Sequence, residues 1–163
     1  MGTKNNLEIE RKFLLKRVPA FLAKDLERYL IHQVYVDIDG QVTRFRMTED
    51  LRRPNNETIY FKCVKKPIST GVFEEIEVKV SENTFNKMAK QPHRFIIKER
   101  LVYSDGGLKW EIDIYEDINL VTLEVELDDI NQEIEIPEKI KKEIICEVTG
   151  QKPFSNYSLS DEC

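Results

Sequence analysis

The sequence predicts an α+β fold built on one antiparallel sheet that is curled or closed, with helices packed against its outside. Two observations carry this expectation. Eight segments alternate apolar and charged residues with a period of two, as strands with one apolar and one polar face do. Turns rather than long crossovers join most of them, so neighbouring strands run antiparallel.

The first strand, residues 7–15, opens with Leu7 and Ile9 alternating with Glu8 and Glu10. Strands over 31–36 and 42–48 flank Asp39-Gly40, a hairpin pair. Pro54-Asn55-Asn56 interrupts the chain before a strand over 58–64, and another follows over 71–80. Strands over 95–103 and 108–115 flank Asp105-Gly106-Gly107, a second hairpin, and residues 121–127 complete the series. Three helices are predicted. Residues 20–30 place Leu22, Leu26, Tyr29 and Leu30 on one face. Residues 81–90 start at a capping Ser81 and space Phe85, Met88 and Ala89 helically. Residues 137–145 begin at Pro137 and bring Ile140 and Ile144 together.

The chain of 163 residues carries no repeat, linker or low-complexity block and reads as one domain, 1–163. A net charge of -5 argues against non-specific nucleic-acid binding, which needs a basic footprint. Cys63, Cys146 and Cys163 are odd in number and lack CxxC spacing, which points to reduced thiols in the cytoplasm rather than disulfides or a thiolate zinc site. No apolar run is long enough for a membrane span, and the first residues lack an apolar signal core.

Charged residues recur two apart on nearly every strand, and the doublets are segregated by sign. Glu75 and Glu77, Glu111 and Asp113, and Glu124 and Glu126 are acidic; Arg44 and Arg46, and Lys98 and Arg100, are basic; Glu8, Glu10 and Lys12 share a face of the first strand. Residues i and i+2 point to one side of a strand. Alternating charge on a single strand ordinarily marks a solvated sheet face. A surface tuned only for solubility would mix the signs, however. If the sheet closes with these faces inward, a wet interior holding polyphosphate and metal accounts for both signs. Arginine and lysine grip phosphate oxygens, and carboxylates hold hard divalent cations.

The segment Glu8-Ile9-Glu10-Arg11-Lys12 resembles the ExExK signature of the CYTH superfamily, the triphosphate tunnel metalloenzymes. Arg44-Phe45-Arg46 resembles its RxR strand, Cys63-Val64-Lys65 its lysine-bearing strand, Glu75-Ile76-Glu77 its ExE pair and Lys98-Glu99-Arg100 its KxR pair. The stretch from Gly106 to Asp113 is similar to GGLxWExD, and Leu123 to Leu127 to the late acidic strand. The segment from Glu147 to Asn156 resembles the C-terminal EVTxDxxYxN of the bacterial inorganic triphosphatase-like branch, with Pro153 and Phe154 replacing the usual basic and tyrosine residues.

The resemblance implies a closed eight-stranded antiparallel β-barrel, core about 7–159, whose tunnel admits a linear triphosphate. It implies phosphate contacts from Lys12, Arg44, Arg46, Lys65, Lys98, Arg100 and Lys152, with Lys62 and Lys66 flanking the Lys65 position. It implies Mg²⁺ or Mn²⁺ held or oriented by Glu8, Glu10, Asp113, Glu124 and Glu126. Its catalytic group would be Glu8, Glu10, Lys12, Lys98 and Glu126, with the water-handling carboxylate left open. Glu75, Glu77 and Glu111 would be partners of the basic side chains. The reaction implied is hydrolysis of inorganic triphosphate to diphosphate and phosphate. Alternatives are a class IV adenylyl cyclase, a thiamine or nucleoside triphosphatase, and a non-catalytic polyphosphate-binding module. A small-molecule triphosphate is the partner, neither nucleic acid nor membrane is implied, and a homodimer stays open. Trp110, His32 and His93 read as structural or solvated, and Cys63 as a lining thiol.

Overall fold

Closure of the sheet follows from strand register. The computed structural model describes residues 6–20, 26–53, 55, 57–91 and 93–162. Its main strands are β1 (Asn6–Leu15), β2 (Glu27–Ile38), β3 (Gln41–Asp50), β4 (Thr58–Ser69), β5 (Val72–Val80), β6 (Arg94–Asp105), β7 (Leu108–Tyr115) and β8 (Val121–Leu127). They pair antiparallel in the order β6-β2-β3-β4-β5-β1-β8-β7, and β7 returns to β6 through Leu101 opposite Ile112. The expected eight-stranded antiparallel barrel is therefore present, and closure removes the free edges of an open sheet.

The hairpin turns form for stereochemical reasons. Asp39 and Gly40 both take positive φ, 53° and 82°, matching the twist of β2 and β3. Gly71, at the β4–β5 turn, is constrained twice. Its φ is 72°, and a Cβ there would lie 2.6 Å from the carbonyl oxygen of Glu10. Its own carbonyl accepts a hydrogen bond from the Glu10 backbone N–H, 2.8 Å, joining the turn to β1.

The apolar cores lie outside the barrel. Phe13, Leu15, Leu101, Trp110, Ile112, Leu123 and Val125 pack beneath Ile140 of the short helix α2 (Glu138–Lys141). Helix α1 (Glu82–Ala89), capped by the Ser81 side chain, drops Phe85 onto Val34, Val36 and Phe45 on the other side. Each fully buried large side chain contributes about 2 kcal/mol by leaving water. Trp110 is fully buried in this core and His32 packs edge-on against Phe85, both outside the lumen.

Two helix expectations need correction. The helix over 20–30 is contradicted from Glu27 onward, where β2 begins; residues 21–25 lie outside the described residues. Leu26, Tyr29 and Leu30 fit helical spacing, but Glu27 to Leu30 complete ladders with β6 and β3, and that pairing outweighs the local pattern. The helix over 137–145 stops at Lys141, and Ile144 starts a ninth strand, β9 (Ile144–Glu147). β5 leaves β1 at Ile9, and β9 takes the vacated edge opposite Phe13 to Leu15. The backbone groups there need partners, so the segment extends rather than coils. Pro54 and Asn56 of the expected turn lie outside the described residues.

Candidate active site

Register places every sign-segregated doublet on the inner face. Glu10 lies opposite Glu126 and Lys12 opposite Glu124; Glu111 faces Glu124, Arg100 faces Asp113, and Arg44 faces Cys63, itself opposite Glu77. The outer positions between them, such as Val125, Ile112 and Phe45, form the cores just described.

Most of the cations are clamped by carboxylates. Lys65 pairs with Glu8 at 2.7 Å and Glu10 at 3.5 Å. Lys12 pairs with Glu124 at 3.2 Å and Arg44 with Glu77 at 3.0 Å. Arg100 grips Asp113 bidentately at 2.7 and 2.9 Å and also pairs with Glu111. Lys98, wholly inaccessible, donates to Asp113 at 2.7 Å. Arg46 differs: among the described residues it has no carboxylate partner, and its Nε donates to Gln33 Oε1 at 3.1 Å.

Burial and neighbours set the protonation states. Burial, then Glu124, pushes Glu10 up to about 7 despite Lys65. Burial and a hydrogen bond that its protonated carboxyl donates to Glu8 push Glu75 up to about 7 as well. Burial would raise Glu8, but Lys65 and the Glu75 contact hold it below its ordinary value. Asp113 is held far below its ordinary range, because Arg100 and Lys98 outweigh burial. Lys12 does the same for Glu124, down to about 2. Burial draws Lys98 down to about 8 against the pull of Asp113. Burial, then Arg44 and Arg100, lowers Arg46 to about 10, so it stays charged at neutral pH. Cys63 is pushed up to about 11 by burial and is a neutral thiol.

The C-terminal segment straps one end of the barrel. After β9 it forms a 3-10 turn (Lys152–Phe154), helix α3 (Asn156–Leu159) and strand β10 (Asp161–Glu162), which pairs with β6. Lys12 Nζ donates to the Phe154 carbonyl at 2.7 Å. Asn156 Oδ1 accepts from Lys98 Nζ at 3.2 Å and from the Tyr115 hydroxyl at 2.6 Å. Tyr157 meets Tyr35 edge to face, with ring centroids 5.4 Å apart, and Arg94 lies over its ring. Lys152 itself is exposed on this strap. Gln33, Tyr115 and Asn156 thus join the site without having been singled out by charge. An uncharged polar side chain such as Gln33, on the inner parity of β2 between Ile31 and Tyr35, was the available signal.

The lumen carboxylates offer donors for a divalent cation. Glu10 and Glu126 stand directly opposite each other, and Glu126 has no cation partner among the described residues. Like charges so placed repel. All-oxygen donors with surplus negative charge suit Mg²⁺ or Mn²⁺. Among the described residues, the one group of three ligand-type atoms within 4.8 Å of each other is different: Cys63, Glu75 and Glu77. Arg44 already pairs with Glu77 there, which disfavours a second cation.

The sequence matches no protein-family model and no curated protein. Solved structures do resemble it. A conserved hypothetical protein from Pyrococcus furiosus superposes with a TM-score of 0.52 at 18% identity, over 83% of this chain and 85% of its own. The PH1012 protein from Pyrococcus horikoshii gives 0.52 at 19% identity, over 83% and 84%. HpAC1 from Hippeastrum, described as having a dominant triphosphatase activity, gives 0.47 at 18% identity, over 75% and 80%. The likeness is one of fold. At these identities it carries no activity across, so function must be argued from the lumen.

Proposed function

We propose that this protein hydrolyses inorganic triphosphate to diphosphate and phosphate with Mg²⁺ or Mn²⁺. The observation that supports this best is the convergence of sign-segregated doublets on one lumen, where Arg46, among the described residues, forms no direct ion pair with a carboxylate. Glu8, Glu10, Glu124 and Glu126 would hold the metal. When bound, the metal withdraws charge from phosphate oxygens and acidifies water. Asp113 is better suited to anchoring Arg100 and Lys98, since both its oxygens are taken by their donors.

Arg46 and Arg44 bind phosphate oxygens, Arg46 through the terminal nitrogens that have no partner among the described residues. Lys12 and Lys65 would turn to phosphate oxygens if their partners Glu124, Glu8 and Glu10 were engaged in holding a metal. Arg100 holds its place through Asp113 and Glu111. Water adds to the terminal phosphorus, the bridging P–O bond breaks, and diphosphate leaves with the bond's electron pair. A lumen carboxylate takes the water's proton; Glu10 and Glu126, directly opposite each other on neighbouring strands, are the acceptors placed for it.

Product analysis with tripolyphosphate, ATP and thiamine triphosphate under each metal tests the proposal. Orthophosphate and diphosphate from tripolyphosphate are expected. Cyclic AMP from ATP as the main product would overturn it in favour of a cyclase, and tight binding without turnover in favour of a binding module.

A further inference from the structure

Among the described residues, five of the six lumen cations are paired with carboxylates, and the sixth is positioned by an amide. Lys12, Lys65, Arg44, Lys98 and Arg100 each meet at least one carboxylate at 3.2 Å or closer. Arg46 Nε instead meets Gln33 Oε1 at 3.1 Å, and no ion pair forms to it among the described residues. Gln33 is fully buried. Its Nε2 donates to the Tyr35 hydroxyl at 2.9 Å, so both ends of the amide are used and its orientation is determined. The register places Gln33 directly opposite Arg46 and Tyr35 directly opposite Arg44.

An amide oxygen orients a guanidinium without cancelling its charge. A carboxylate at the same place would make a similar contact and neutralise it. We infer that Gln33 is a positioning residue that determines affinity for anions, keeping Arg46 as the cation without a direct ion pair to which a phosphate group binds. The inference rests on the phosphate reading of the lumen. Burial, then Arg44 and Arg100, disfavours the charge of Arg46 more than Glu77 favours it, and an incoming phosphate relieves that repulsion. A purely structural role is the competing account, in which Gln33 only fills a polar gap between Arg46 and Tyr35.

The two accounts predict opposite rankings for two variants. Tripolyphosphate binding is titrated calorimetrically in Ca²⁺, chosen to slow turnover, for the wild-type chain, Gln33→Glu and Gln33→Leu. Gln33→Glu keeps the contact but adds the cancelling charge, and should weaken binding by on the order of tenfold or more. Gln33→Leu loses both hydrogen bonds but leaves Arg46 charged, and should weaken binding less. In Mg²⁺ turnover, Gln33→Glu should raise KM with a smaller effect on kcat. Equal losses, or a greater loss in Gln33→Leu, would overturn the inference and leave the phosphate reading standing. No binding by the wild-type chain would overturn the phosphate reading and this inference with it. If Gln33→Glu does not fold, Arg46→Met should cost more affinity than Arg44→Met, whose parent side chain is already paired; equal costs would overturn the inference.

Discussion

Replacing Asp113 by asparagine should destabilise the barrel far more than it affects metal binding. Asp113 has no accessible surface and receives three donor contacts, from Arg100 Nε at 2.7 Å, Arg100 Nη2 at 2.9 Å and Lys98 Nζ at 2.7 Å. Each charge pair at that distance is worth about 6 kcal/mol gross at an effective dielectric near 20. Desolvation of several kcal/mol per ion offsets much of this, so the net value of the cluster is modest. Breaking it is another matter. An asparagine keeps one acceptor oxygen, turns an amide NH₂ toward a cation, and leaves Lys98 buried without the one carboxylate it contacts directly. The expected loss is about 3–5 kcal/mol. At about 2–4 °C per kcal/mol for a chain of this size, the melting temperature should fall by roughly 6–20 °C. The gap should also depend on pH. The folded Asp113 carboxyl sits far below its unfolded value, so its stabilisation is complete above that value and is lost as pH falls toward the folded one. The difference between parent and variant should therefore hold at pH 7 and shrink below about pH 4. Denaturant melts at several pH values measure it, alongside Mn²⁺ titration. A variant within about 1 kcal/mol of the parent, or one that stays stable while losing Mn²⁺, would refute the anchoring role.

Three further outcomes follow from the same geometry. Glu126→Gln should abolish turnover while tripolyphosphate binding stays largely intact, measured by phosphate release and calorimetry; full activity would remove Glu126 from the chemistry. Glu10 and Glu75 have folded values of about 7, above their unfolded values, so the metal-free fold loses stability as pH rises from about 4.5 through 7. The metal-free protein should melt higher at pH 5.5 than at pH 8, and Mn²⁺ should narrow that difference by favouring the ionised carboxylates; a metal-free melt that rises with pH would contradict it. Asn156→Ala removes the acceptor shared by Lys98 and Tyr115, worth about 1–3 kcal/mol. Amide exchange at Leu159 and Ser160 should then quicken by on the order of tenfold. Unchanged exchange would mean that Arg94 and β10 hold the strap by themselves.

The alternation of charge determined more of this molecule than any single motif. Glu8, Glu10 and Lys12, the Arg44–Arg46 pair and the late acidic doublets could all be assigned to one face from spacing alone, because strand geometry sends every second side chain the same way. The hairpins at Asp39-Gly40 and Gly106-Gly107 were equally legible, since few residues accept positive φ. Helix-like spacing misled at Leu26 to Leu30 and at Ile144. There the choice was made by strand edges elsewhere in the chain that needed hydrogen-bond partners. Tertiary structure alone decided which face of the sheet lies inside, because closure depends on β7 meeting β6. It also decided which cation each carboxylate neutralises. Asp113 went to Arg100 and Lys98, Gln33 took Arg46, and Asn156 arrived from the far end of the chain to cap Lys98. Spacing along a strand gives direction but not distance across a barrel, and electrostatic pairing depends on distance.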